Sequence, residues 1–311
     1  MDKLVSVVLP AFNEQDAISP AVERISSVLD GAGIPFELIF VNDGSRDGTW
    51  QAICREAQKN DRVRGASFSR NFGKESALFA GLAEAAGDCC ITMDCDLQHP
   101  PEYIPEMVRL WQGGAQVVEA VKADRGKENP LYRLCAKCFY GLISGATNID
   151  MAKSSDFKLL DRQAVDALLE LPERNTFYRA LSAWVGFTTA QVPFQVEERT
   201  QGVSKWSVLS LIKYAVNNIT SFSTAPMQFV TWLGGLTLLI SVVMGIQTLA
   251  KKFMGLALEG FTTVIIVQLF IGGVIMISLG IIGHYIAKIY DEIKHRPRFI
   301  VAERCGKQTK A

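Results

Sequence analysis

The chain has 311 residues, and its 32 Lys plus Arg are balanced by 32 Asp plus Glu, for a formal net charge of zero at pH 7. That balance excludes a strongly basic nucleic-acid-binding protein, and no nucleic-acid partner is expected. The length exceeds what one compact domain usually needs.

The chain begins Met-Asp-Lys-Leu-Val-Ser and runs straight into strand-like sequence. It has no basic region, apolar core and small-residue cleavage site, so no secretory signal is read and the first domain is expected to stay in the cytosol. Val5–Leu9 is an apolar run ending at Pro10, a strand. Residues 16–30 carry Ala17, Ile18, Ala21, Val22, Ile25, Val28 and Leu29 at helical spacing. Leu38–Val41 is a second strand closed by Asn42-Asp43-Gly44-Ser45, and Asp47 caps a helix running to about Lys59. Val63–Phe68 is a third strand, Lys74–Ala86 a helix, Cys89–Met93 a fourth strand, Pro100–Gln112 a helix and Gln116–Val121 a fifth strand.

Strands alternating with helices imply an α/β fold, a mostly parallel sheet covered on both faces. Ligands of such sheets bind beyond the carboxyl ends of the strands. Glu14, Asp43 and the pair Asp94/Asp96 follow strands one, two and four and should meet at one rim. The first strand–helix turn lacks a glycine-rich dinucleotide fingerprint, and there is no P-loop.

Asp94 and Asp96 stand two apart at a strand end, so in extended chain both side chains leave on one side. They read either as caps of the following helix or as ligands of a hard divalent cation, Mg²⁺ or Mn²⁺, with substrate phosphate completing the shell. Asp43 reads either as a turn residue or as an acceptor for a nucleobase imide. Arg70, Asn71 and Lys74 open a helix, where a basic residue calls for a phosphate or carboxylate partner or else faces solvent. Asp156 by itself is an ordinary turn aspartate ahead of a strand-like run and a helix.

Residues 130–146 and 207–222 each gather apolar side chains on one helical face, as core helices or as interfacial helices lying on a membrane. The polar loop 197–206 is either a linker or a mobile lid in which Arg199 and Lys205 close over a pyrophosphate. No charged residue lies between Lys213 and Lys251, or between Glu259 and Lys288. Residues 229–249 and 264–286 within those gaps are long enough to cross a hydrocarbon core of roughly 30 Å. The tail from Lys288 is basic, the connecting loop carries only Lys251 and Lys252, and this bias places both termini in the cytoplasm. The polar stretch after Glu303 is expected to fray. Cys54, Cys89, Cys90, Cys95, Cys135, Cys138 and Cys305 are odd in number and scattered, which indicates free thiols.

Taken as an ordered set, residues 7–14, 41–49, 69–75, 94–98, 171–175 and 219–224, with the two closing apolar segments, resemble the polyprenyl-phosphate glycosyltransferases of glycosyltransferase family 2. Within that family the chain looks like the bactoprenol glucosyltransferases that serve O-antigen glucosylation, a branch related to dolichol-phosphate mannose synthases. The resemblance implies a GT-A-like (Rossmann-like) catalytic domain over residues 1–206, an interfacial helix at 207–225, two transmembrane helices within 226–287 and a basic cytosolic tail at 288–311. It implies an inverting, metal-dependent hexose transfer from a nucleotide sugar, UDP-glucose first, to a polyprenyl phosphate at the inner membrane, by a homo-oligomer. Pro10, Glu14 and Asp43 would hold the nucleoside, Asp94 and Asp96 the metal and diphosphate, and Arg199 and Lys205 the closing loop. Asp156 would be the acidic residue near the acceptor, with Arg125 and Arg162 on the acceptor-phosphate side. Where the family often has Gly-Asp-Phe-Arg, this chain has Ser155-Asp156-Phe157-Lys158, and lysine lacks arginine's planar fork. The Gln-x-x-Arg-Trp signature of processive synthases is absent, so one sugar per turnover is expected. Removing residues 226–311 should reduce lipid glycosylation far more than nucleotide binding. The alternatives are another donor (GDP-mannose or a UDP-amino sugar) or a non-catalytic membrane scaffold or channel subunit.

Overall fold

The computed structural model describes residues 3–122, 155–173, 177–194, 225–254 and 260–307. The two amphipathic segments, and with them Cys135 and Cys138, lie outside the described residues. The chain divides into two compact units, residues 1–208 with 296–311, and residues 209–295.

The first unit is built on an eight-stranded sheet. Its strands are β1 (Val5–Ala11), β2 (Phe36–Asn42), β3 (Val63–Phe68), β4 (Cys89–Thr92), β5 (Val117–Lys122), β6 (Lys158–Asp161), β7 (Thr189–Phe194) and β8 (Val301–Cys305). They are ordered β7-β5-β6-β4-β1-β2-β3-β8. β1 pairs parallel with both β2 and β4, and β2 parallel with β3. All residues of β1 and β2 are buried, as expected of strands covered on both faces. Helices α1 (Ile18–Gly31), α2 (Thr49–Lys59), α3 (Lys74–Glu84) and α4 (Ile104–Gln112) fill the crossovers. Two more, α5 (Arg162–Glu170) and α6 (Tyr178–Trp184), follow β6.

Two strands break the parallel pattern, and both matter for the site. β6 runs antiparallel between β4 and β5, with Lys158 opposite Thr92 and Asp161 opposite Cys89. An antiparallel strand starts where its neighbours end, so the residues just before β6 reach the rim at which β4 finishes. β8 pairs antiparallel with β3 at the sheet edge. The expectation of a frayed end after Glu303 is therefore corrected. Arg304 and Cys305 are strand residues opposite Ala66 and Gly65, and Trp50 Nε1 donates to Glu303 at 2.8 Å.

The second unit contains two long helices, α7 (Ala225–Phe253) and α8 (Phe261–Ile293). Pro226–Lys251 and Val267–Ile293 are apolar and long enough to span a membrane, and neither window is buried.

Candidate active site at the carboxyl rim of the sheet

Four strand ends and one strand start converge. Residues 12–15 follow β1, Asp43 follows β2, residues 69–73 follow β3, Met93–Asp96 follow β4, and Ser155–Phe157 precede β6.

The first two turns are laced together. Asn13 Oδ1 accepts from the Arg46 amide at 2.9 Å, the Asn13 amide donates to Ser45 Oγ at 3.0 Å, and the Glu14 amide donates to Thr49 Oγ1 at 2.9 Å. Asn13 takes a left-handed backbone (φ 56°), which asparagine tolerates better than most residues. Asp43 is buried, and its carboxylate accepts from the amides of Phe72 (2.7 Å) and Gly73 (3.0 and 3.1 Å). The next residue must be glycine. Gly44 has φ +64°, and a Cβ there would lie 2.5 Å from the Arg70 carbonyl carbon. Burial pushes the Asp43 carboxyl up, partly offset by those amides.

Pro10 sits in β1 where β4 pairing has already stopped at Val8. Backbone groups alternate sides along a strand, so the missing N–H of Pro10 would have pointed at the departed β4 and no ladder bond is lost. Its carbonyl instead accepts from Cys95 Sγ at 3.4 Å. The same thiol donates to Glu14 Oε2. Burial raises the Glu14 carboxyl, and the charges of Asp96 and Asp94 add to the effect. Cys95, enclosed between two exposed-side carboxylates, thus ties the β1 and β4 turns together.

Asp94 and Asp96 flank that thiol and are only partly buried. Asp96 Oδ1 accepts from the Gln98 amide at 3.1 Å, closing a turn in which Leu97 is left-handed (φ 57°). Among the described residues there is no group of three or more His, Cys, Asp or Glu side chains able to hold an ion. What the β4 turn offers is the two carboxylates of Asp94 and Asp96. That donor set suits a hard cation taking its other ligands from a substrate diphosphate and water.

Lys74 occupies the centre. Its Nζ lies 2.6 Å from Asp94 Oδ1 and 2.7 Å from Asp156 Oδ2. Desolvation pulls the ammonium down, but the two carboxylates outweigh it and hold Lys74 above its ordinary range. Arg179, from α6, grips Asp156 with a bidentate fork, Nε to Oδ1 at 2.7 Å and Nη2 to Oδ2 at 2.9 Å. Burial would raise the Asp156 carboxyl, yet Lys74 and Arg179 together hold it far below the usual carboxylate range. Next to Lys74, Glu75 accepts from the Tyr178 amide at 2.8 Å. Burial and the nearby Asp156 charge push the Glu75 carboxyl up to about 7.

Residues 6–169 match glycosyl transferase family 2. An uncharacterized glycosyltransferase of Synechocystis is 38% identical over 97% of this chain and 96% of its own length. A bactoprenol glucosyl transferase of Shigella phage SfV is 38% identical over 96% of this chain and 97% of its own length. The chain belongs to glycosyl transferase family 2.

It is a glycosyltransferase, and its fold is GT-A-like. Glucosyl-3-phosphoglycerate synthase from Mycobacterium tuberculosis, in complex with Mn²⁺, UDP-glucose and phosphoglyceric acid, has a similar fold. The TM-score is 0.50 at 24% identity, covering 71% of this chain and 78% of that one.

Within this glycosyltransferase, Pro10, Glu14, Asp43, Asp94, Asp96 and Asp156 all lie at one rim. Arg125, Arg199 and Lys205 lie outside the described residues. Arg162 is not brought to the rim. It follows the far end of β6, where its guanidinium donates to the carbonyls of Gly87 (2.6 and 3.0 Å) and Ala85 (2.9 Å) and braces the α3–β4 connection. The acceptor role expected of Arg162 is corrected accordingly. Lys158 is buried against Glu119 (3.0 Å) and Ser182 Oγ (2.8 Å), an internal ion pair rather than a phosphate ligand. Arg179 and Glu75 escaped sequence reasoning as site residues. Glu75 closes the 69–75 motif and Arg179 follows the 171–175 motif by a few residues, which is the signal that points to them.

Proposed function

We propose that this glycosyltransferase transfers a hexose, glucose from UDP-glucose, to undecaprenyl or a related polyprenyl phosphate, with inversion at the anomeric carbon. The observation that carries the reading is the Lys74 bridge. One ammonium joins Asp94, on the diphosphate side, to Asp156, on the acceptor side. The near-full-length likeness to a bactoprenol glucosyl transferase and the two apolar helices support the lipid acceptor.

The rim carboxylates fit Mg²⁺ or Mn²⁺, with Asp94 and Asp96 as the protein ligands. A divalent ion bound there would stabilise negative charge on the leaving diphosphate. Asp43 keeps lone-pair capacity beyond its bonds to Phe72 and Gly73, since a carboxylate offers about four acceptor positions. It is therefore able to take a nucleobase imide, while the laced 12–15 and 43–49 turns fix the nucleoside edge. Arg199 and Lys205 are proposed to close over the diphosphate, and Arg125 to face the acceptor phosphate.

The acceptor is a phosphate monoester with a second pKa near 6, already largely ionised at neutral pH. It needs little help from a base, and Asp156, held fully ionised, is a poor one. Asp156 instead orients Lys74 and Arg179 so that their donors meet an incoming phosphate. An acceptor oxygen then forms its bond to the anomeric carbon as the bond to the diphosphate oxygen breaks, and the nucleoside diphosphate leaves with the electron pair.

Placement at the inner membrane, with both termini on the cytoplasmic face, follows the same reading. β3 and β8 belong to one sheet, and α7 and α8 lie between them in sequence. Both ends of the helix pair are thus joined to the same unit, which supports an even number of crossings. The basic residues after α8 agree with that side being cytoplasmic.

The test is incubation of the purified protein with undecaprenyl phosphate, Mg²⁺ and labelled UDP-glucose, GDP-mannose or UDP-N-acetylglucosamine, scoring label that enters organic solvent. UDP-glucose should label the lipid fastest. Preference for another sugar overturns the donor assignment, and no labelling from any donor overturns the lipid acceptor.

A further inference from the structure

The segment between α8 and β8 makes more contacts with the catalytic unit than a connector requires, and they fall on the elements that carry the site. The Phe299 ring stacks on Phe68 with centroids 5.2 Å apart and planes 14° apart. Phe68 in turn meets Phe72 edge-on at 5.6 Å, and the Arg70 guanidinium lies 4.1 Å over Phe72. The Ile300 carbonyl accepts from the Ser69 amide at 3.1 Å. Phe299 and Ile300 thus hold the start of residues 68–72, Phe68 passes that contact to Phe72, and Phe72 donates its amide to Asp43.

Arg298 reaches a second element. Its guanidinium lies 4.8 Å over the Phe79 ring on α3 and donates to the Leu171 carbonyl after α5. Phe79 meets Tyr178 edge-on at 6.4 Å, and Tyr178 immediately precedes Arg179. The α3 helix that Arg298 covers begins with Lys74. Three consecutive residues therefore touch the start of the loop that supports Asp43 and the helix that begins with Lys74, and through Phe79 they reach Tyr178 beside Arg179.

We propose that Arg298, Phe299 and Ile300 form a positioning strap for the donor side of the active site, holding the 69–73 loop closed on Asp43. Donor affinity then depends on a segment that starts five residues after the second apolar helix ends at Ile293. The physical logic is preorganisation. A loop already seated loses less entropy when the nucleotide arrives. This proposal rests on the donor site assigned above, and its test carries one readout that does not.

Full-length protein in detergent is compared as wild type, Phe299→Ala and Phe299→Tyr, with UDP-glucose as donor and undecaprenyl phosphate as acceptor. Losing one stacked aromatic pair should raise the donor KM about fivefold. The kcat per folded molecule should stay near wild type, and Phe299→Tyr should restore the KM. In parallel, amide hydrogen exchange across residues 69–78 should be faster in Phe299→Ala than in wild type without nucleotide. If Phe299→Ala does not fold, Phe299→Leu replaces it in both measurements. An unchanged donor KM overturns the strap even if activity falls with folded protein, and so does unchanged exchange. If wild type transfers no sugar, the proposed function fails while the exchange comparison still decides the strap.

Discussion

Lys74 Nζ and Asp156 Oδ2 sit 2.7 Å apart at the sheet rim although 82 positions separate them in the chain. The same ammonium reaches Asp94 Oδ1 at 2.6 Å, so one side chain links the two halves of the site. Replacing Lys74 with Met removes that link and a fixed positive charge beside the reacting groups. Transfer should fall about a hundredfold or more, with circular dichroism unchanged. Activity within a few-fold of wild type would show that the bridge is incidental.

Asp156 is held ionised by Lys74 and Arg179, and its carboxyl lies far below the usual range. A depressed carboxyl contributes stability that is present above its unfolded value near 3.8 and is lost only as the pH falls into strong acid. Between pH 6 and 9 its charge is constant. The activity lost in Asp156→Asn should therefore be the same across that window, measured as the ratio of initial rates. A loss that shrinks at high pH would instead mark Asp156 as a base. The variant also leaves two cations facing a neutral amide, and denaturant unfolding should show about 3 kcal/mol of lost stability.

Glu75 titrates in the opposite sense. Burial and the Asp156 charge push its carboxyl up to about 7. Below the ordinary glutamate value of 4.5 both folded and unfolded states are protonated. Between there and about 7 the folded state keeps a proton that the unfolded state loses, so stability falls as pH rises, then levels off. Glu75→Gln keeps an oxygen for the Tyr178 amide and removes the charge. Its Tm relative to wild type should climb from about pH 5 to about pH 7 and then stay flat. A constant Tm difference would mean that Glu75 is ionised in the fold at all these pH values.

Arg162 makes three carbonyl contacts at the far end of β6, away from the catalytic rim. Arg162→Ala should cost about 1–3 kcal/mol of stability through those lost bonds. The acceptor KM should not move. A raised KM for undecaprenyl phosphate at unchanged stability would return Arg162 to the acceptor site.

The alternation of β1 through β4 with their helices was legible because fully buried parallel strands and amphipathic crossovers leave strong periodic patterns. Strand three, Val63–Phe68, agrees to the residue, and the rim positions of Glu14, Asp43, Asp94 and Asp96 follow from it. Arg162 was misplaced because β6 is antiparallel. Its start, not its end, faces the rim, and four residues of strand carry no mark of direction. β8 was missed because an exposed edge strand, Val-Ala-Glu-Arg-Cys, reads like a polar tail. Removing residues 226–311 would delete Phe299 and β8 along with the apolar helices, so nucleotide binding and lipid transfer would both suffer. The pairing of Lys74 and Arg179 with Asp156 rests on three-dimensional contact between α3, α6 and the residues before β6, which no local spacing encodes.

Chelation bears most directly on the paired carboxylates. Purified protein is stripped with EDTA and assayed for transfer of labelled glucose from UDP-glucose to undecaprenyl phosphate, beside untreated protein and Asp96→Asn. Transfer should vanish on stripping, return with Mg²⁺ or Mn²⁺, and fall by several orders of magnitude in Asp96→Asn under any metal. Undiminished labelling of the lipid by the stripped protein, or near-normal labelling by Asp96→Asn, would contradict a divalent ion held by Asp94 and Asp96.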